Sequence, residues 1–154
     1  MKNMISTDME QDIKAVLKIN SRICKAFETV DFRGAAAYLT PDCNYITFNG
    51  DHLKGRYAYV KTHEELMNSF FFRGARLEAQ VTEARFLNDD TAVVIATGAI
   101  KLRWQKEAPA SRRSITTSVF VREDDDQWRL ASFHNCRIKK FSPFAKWLMK
   151  IFKS

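Results

Sequence analysis

Two histidines hold the best prospect of chemistry in this 154-residue chain. His63 falls in the run Val60, His63, Met67 and Phe70, whose i, i+3, i+7 and i+10 spacing makes one apolar face of a helix. His134 alternates with Trp128, Leu130, Ser132, Cys136 and Ile138, the period-two set that shares one face of a strand. Arg129 and Arg137 fall on the opposite face. Both imidazoles are therefore expected to point at one interior. A neutral histidine there could take or give a proton, with His134 as the principal group and His63 as helper. Each could equally be a core histidine whose nitrogens are satisfied by neighbours. No third residue has zinc-ligand spacing, and no GxGxxG occurs, so neither metal nor cofactor is expected.

Other side chains could line a cavity beside them. Asn20 interrupts the apolar stripe of the first helix, and a buried amide needs partners. Tyr45, opposite in parity to Ile46 and Phe48, could present a hydroxyl or sit at the rim. Met67, Trp104 and Trp128 add apolar surface, with Trp104 at the mouth or against a neighbouring subunit. Asn135 is turned away from His134 by parity. Arg56, at the start of the third helix, reads as exposed, and Arg112-Arg113 as a solvated loop edge.

The elements that must hold these groups follow from periodicity. Ile13, Val16, Leu17, Ile23, Cys24 and Phe27 predict a first helix over Met9–Thr29, with Thr7 or Asp8 as N-cap. A short second helix follows with Asp31 as its cap, contains Ala35, Ala36, Tyr38 and Leu39, and stops at Pro41. Asn44–Phe48 reads as a strand and Arg56–Phe71 as a third helix. Four strands follow, over Arg76–Leu87, Thr91–Trp104, Ser114–Arg122 and Gln127–Ile138, joined by hairpin-type links. Helices followed by a run of strands make an α+β fold with a mostly antiparallel, bent sheet.

Charge then separates the body from its end. The chain has 25 Lys+Arg against 18 Asp+Glu, a net +7. Residues 137–154 hold six of those net charges and no acid, leaving +1 for everything before them. A nucleic-acid-binding fold wears its charge as a stripe over the body, so no nucleic-acid partner is expected. Two segments result: a single domain over 1–138 and a basic amphipathic helix over 139–154. Ser142-Pro143 supplies the N-cap and first position of that helix. Phe144, Trp147, Leu148 and Ile151, with Phe152, share one side, and Lys146, Lys150 and Lys153 the other. That face could dock on the protein itself, on a partner subunit or on an anionic membrane. Cys24, Cys43 and Cys136 are unpaired in pattern, as in a reducing cytoplasm, and no segment has the apolar run needed to span a bilayer.

The order of these elements resembles the nuclear transport factor 2-like superfamily, and within it the SgcJ/EcaC branch near SnoaL-like and ketosteroid-isomerase-like proteins. The resemblance rests on Asp31-Phe32, Leu39-Thr40-Pro41-Asp42, Lys54-Gly55-Arg56, Val60 with His63, Trp128-Arg129-Leu130 and Ser132-Phe133-His134-Asn135. It implies a cone-shaped curved sheet wrapped around three helices and enclosing a pocket, here with an extra C-terminal helix. Isomerases of that superfamily use a tyrosine late in the first helix and an aspartate in the first strand. The matching positions here are Ile23 and Thr47, which offer neither donor nor base, so steroid isomerisation is not expected. The expectation is a cytoplasmic homodimer that binds a small, mostly apolar molecule, with acid/base chemistry by His134 and His63 as its enzymatic form. The alternative is a non-catalytic association module, held at a membrane by its last helix.

Overall fold

The structure, a computed structural model, describes residues 2–152, with side chains from Asp8 onward; the Thr7 side chain and Lys153 lie outside the described residues. The first apolar stripe winds into α1 (Lys2–Thr29), which buries Val16, Ile23, Ala26 and Phe27. It starts well before Asp8, so the expected cap is an ordinary helical position. Asp31 caps α2 (Phe32–Ala36), its carboxylate accepting the Gly34 N–H at 2.9 Å. Tyr38 and Leu39 fall outside α2, because the chain is already extended at Leu39.

Then come β1 (Leu39–Ile46), β2 (His52–Lys54) and α3 (Gly55–Asn68). β1 starts before the expected strand and ends at Ile46, where Thr47–Asp51 closes a tight turn (Thr47 N–H to Asp51 O, 3.0 Å) into β2. α3 stops at Asn68, where Ser69 donates both its N–H and its hydroxyl to the Leu66 carbonyl. Phe70 therefore leaves the expected stripe.

Four long strands complete the sheet: β3 (Arg76–Asn88), β4 (Thr91–Lys101), β5 (Ser114–Arg122) and β6 (Trp128–Arg137). β4 ends short of Trp104, because Gln105 bonds back to Leu102 through its backbone and side chain and turns the chain. A final helix, α4 (Pro143–Ile151), begins at Ser142 as expected, the serine hydroxyl accepting the Ala145 N–H at 3.1 Å.

The strand order is β2-β1-β6-β5-β4-β3. Every neighbouring pair is antiparallel except β1 and β6, which run parallel. The first three helices lie against this sheet, and the core between them centres on Phe32, Leu39, Tyr59, Met67, Val94, Phe120 and Leu130. The α+β architecture is the expected one. Two contacts fix the helices on the strands. Trp128 Nε1 donates to Asp12 at 3.1 Å, and Arg122, stacked over Trp128 at 4.8 Å, pairs with the same carboxylate. Arg56, part-buried instead of exposed, donates Nε (2.8 Å) and Nη2 (2.6 Å) to the Leu39 carbonyl. Beside it Gly55 has φ +77, and a Cβ there would lie 2.9 Å from the Pro41 oxygen, so the strand-to-helix turn demands glycine.

One irregularity decides what faces the interior. Val119 pairs with Ser132 and the next residue, Phe120, with Leu130, so Ala131 is an extra residue in β6. Such a bulge reverses side-chain parity beyond it. Trp128 and Leu130 point inward before it; Phe133 and Asn135 do so after it.

Candidate functional site

An aromatic cluster fills the interior where α1, α2 and α3 meet β1 and β6. Tyr59, His63 and Met67, at i, i+4 and i+8, are the buried residues of α3. His63 is 4% exposed. Its ring centroid lies 4.5 Å from that of Tyr59, 5.0 Å from Tyr45, 5.2 Å from Phe32 and 5.4 Å from Phe27. Tyr45 in turn stacks on Phe133 at 4.2 Å. The parallel register brings those two together, Tyr45 lying opposite Phe133.

The electrostatics follow from this aromatic surround. His63 Nδ1 lies 2.8 Å from the Tyr59 carbonyl oxygen. A carbonyl only accepts, so Nδ1 carries the proton and Nε2 is left as an acceptor. Burial pushes the His63 pKa down to about 4, opposed by that hydrogen bond. The ring is neutral at pH 7 and a weak base. Burial also raises Tyr45 and Tyr59, and lifts the Cys24 thiol to about 11 and Cys43 to about 12. All four stay protonated at neutral pH, and all three cysteines are free. The site is uncharged.

Two of its polar atoms lack partners. The Tyr59 hydroxyl and Asn135 Oδ1 are both buried and make no hydrogen bond. Asn135 is the next inward position of β6 after Phe133, across from Thr116 of β5. Buried polar groups are satisfied in the great majority of cases, and an orphan costs about 1–3 kcal/mol. Those two atoms are where a guest molecule has something to gain.

The expected site residues divide accordingly. His63 and Met67 are buried on the inner face of α3, Tyr45 is buried and not at a rim, and Asn20 is half-buried on α1. His134 is not in the cone. The bulge at Ala131 turns it, with Cys136, to the exposed outer face opposite Thr117. The same slip turns Asn135 inward, against expectation. Trp128 is buried but held at the far end of β6 by Asp12 and Phe86 (5.7 Å), where it ties α1 to the sheet. Trp104 lies outside β4 and is 54% exposed. Arg103 stacks on it and on Phe70, beside a cavity of about 270 Å³ lined by Asn68, Phe70, Arg73 and Arg103. Arg112 is half-buried and donates to Gln105 at 2.8 Å, so it is not the freely solvated group expected. Phe144, Trp147, Leu148, Ile151, Lys146 and Lys150 lie on α4, away from the cone, and none is buried. Sequence reasoning missed Tyr59, although it stands one helical turn before His63. It also missed Phe133, whose apolar side chain out of phase with Trp128 and Leu130 was the signal of the bulge.

A curved sheet wrapped around three helices with an aromatic interior defines a class, and comparison with known proteins agrees. Residues 16–136 match the SnoaL-like domain family, and the chain belongs to it. No curated protein shows significant similarity to it. Among solved structures it is similar to a domain of unknown function with a cystatin-like fold from Nostoc punctiforme, with 27% identity over 90% of this chain and 83% of that one and a TM-score of 0.76. A putative dehydratase from the NTF2-like family of Streptomyces avermitilis shares 21% identity over 85% and 99% of the two chains, TM-score 0.67. A Catenulispora acidiphila protein in complex with S-DNPA shares 18% over 80% and 91%, TM-score 0.66. The last two show the nuclear transport factor 2-like fold alone.

Proposed function

We propose that the chain binds a small, mostly apolar organic molecule in the cone. Phe27, Phe32, Tyr45 and Phe133 give the guest ring surfaces, and Tyr59 and Asn135 each offer it a polar contact. The observation behind this reading is the pair of buried, unpartnered polar atoms inside an aromatic wall. The complex of the Catenulispora relative with S-DNPA is in keeping with it. No metal or cofactor enters.

The same reading limits any catalysis. With a pKa near 4, His63 offers Nε2 as a hydrogen-bond acceptor, whereas proton transfer near pH 7 favours a base with a pKa closer to 7. The proposed role is therefore binding, with proton positioning at His63 as the form any chemistry takes. His134 belongs to a second surface. The outer face of β4, β5 and β6 carries half-buried or exposed Val93, Ile95, Ile115, Thr117, Val119 and His134. Such a β-branched face is suited to pairing two copies as a homodimer. Placement in the SgcJ/EcaC branch is part of the same reading, carried by the Ser132–Asn135 ending.

The test uses 2-naphthol, an aromatic ring system with one hydroxyl, in isothermal titration calorimetry. Saturable one-to-one binding is expected. Tyr59→Phe and Asn135→Leu should each weaken it about two- to ten-fold, the worth of one hydrogen bond, with His134→Ala unchanged. An absence of saturable binding, or equal affinity in all variants, overturns the reading.

A further inference from the structure

The apolar face of α4 is largely uncovered, with Leu148 half-buried at its centre and its other large side chains exposed. Phe144 is 66%, Trp147 56%, Ile151 51% and Phe152 76% exposed, and no residue of α4 is buried. Phe144 and Trp147 stack on each other at 5.9 Å instead of on the sheet. At 100° per residue from Phe144, the sector from Trp147 through Ile151 and Leu148 to Phe152 spans about 140°, and Lys146 and Lys150 lie together on the far side. Among the described residues the ion pairs include neither of these lysines, nor Lys139 or Lys140.

Charge selects the occupant of this face. Tail-to-tail contact of two copies would bring two segments of +6, without a single acid, against each other, and the body, at a net +1, has no net negative charge to draw them. An anionic lipid surface supplies both missing partners, an apolar layer for the rings and negative headgroups for the lysines. The nine residues of α4 span about 14 Å, under half the bilayer core, so the helix lies in the interface and does not cross. No helix of the described residues is long and apolar enough to cross a membrane.

We propose that α4 is an interfacial anchor that seats the SnoaL-like body on an anionic membrane. Aromatic Trp147 and Phe144 enter the headgroup boundary while Lys139, Lys140, Lys146 and Lys150 remain at its surface. This inference is independent of what the cone binds.

Co-sedimentation of the full chain with vesicles tests it, comparing phosphatidylcholine alone with a 3:1 mixture of phosphatidylcholine and phosphatidylglycerol. Binding to the anionic vesicles is expected, at least ten-fold weaker on the neutral ones and in 0.5 M NaCl. Each lysine near the surface is worth about five-fold, so Lys146→Glu with Lys150→Glu should reduce binding at least twenty-five-fold. Trp147→Glu with Ile151→Glu should abolish it. Both pairs should melt at the wild-type temperature. No vesicle binding by the wild type, or binding indifferent to both pairs, overturns the proposal. So does a lowered melting temperature, which would mean docking on the body, or a dimer dissociated by Trp147→Glu with Ile151→Glu, which would mean a subunit contact.

Discussion

α1 and α4 share one pattern and meet opposite fates. Both alternate apolar and basic residues at helical spacing, yet Val16, Ile23 and Phe27 of α1 are buried while the apolar residues of α4 are not. The difference lies on their polar faces. α1 mixes Asp8, Glu10, Asp12 and Glu28 with Lys14, Lys18, Arg22 and Lys25, and Asp12 reaches Trp128 and Arg122 of the sheet. α4 has lysine alone and sends no comparable tie to the body. Amphipathicity therefore specifies that a helix has a face to cover, and the neighbouring charges specify what can cover it.

Truncating one ring on each helix should give the largest difference between them. Phe27→Ala removes a side chain packed against Phe32 and His63, and should cost about 3–5 kcal/mol in urea denaturation. Trp147→Ala should stay within about 0.5 kcal/mol, because the ring is 56% exposed and stacks on Phe144 of its own helix. Equal losses would mean that α4 is part of the folded core.

Next in size is a proton. Phe27 helps to seal His63, whose pKa is about 4 in the fold, against about 6.5 in an unfolded chain. Between those values the unfolded chain binds the proton and the native one does not, so stability falls as pH drops through that window. At pH 5 the loss relative to pH 7 should be about 2 kcal/mol, and His63→Leu should remove that part of it. Tyr45 and Tyr59, raised by burial, do not titrate there. A flat stability profile would mean that water reaches the ring.

These contrasts also mark how far sequence carries. The α+β class, all four long strands and the caps at Asp31 and Ser142 follow from periodicity and turn chemistry, because local rules write them. The orientation of His134 does not. It depends on a single extra residue, Ala131, whose bulge is set by the ladder with β5 and carries neither glycine nor proline to announce it. The contacts of Arg56 and Trp128 are hidden for a related reason. Their partners, the Leu39 carbonyl and Asp12, are distant in sequence, and nothing near either residue reveals them. Of the proposed site, His63 and Tyr45 are legible from periodicity and parity, whereas Phe133 is not. The rest, Tyr59 and Asn135, required knowing the helix phase and the strand slip.

The smallest effect separates the two helices' surroundings most finely, because it uses one capping chemistry twice. Asp31 caps α2, whose Phe32, Ala35 and Ala36 are buried, and Ser142 caps α4, which buries nothing. Replacing either with alanine leaves one backbone N–H without its acceptor, at a cost of about 1 kcal/mol. In α2 that cost falls on the whole fold, since the helix cannot unwind without exposing Phe32. Asp31→Ala should therefore lower global stability by about that amount. In α4 it falls on the helix alone. Ser142→Ala should leave the melting temperature unchanged and speed amide exchange in Lys146–Ile151 about five-fold. If it instead shifts the global transition, α4 unfolds with the body, and its exposed face has a partner within the fold.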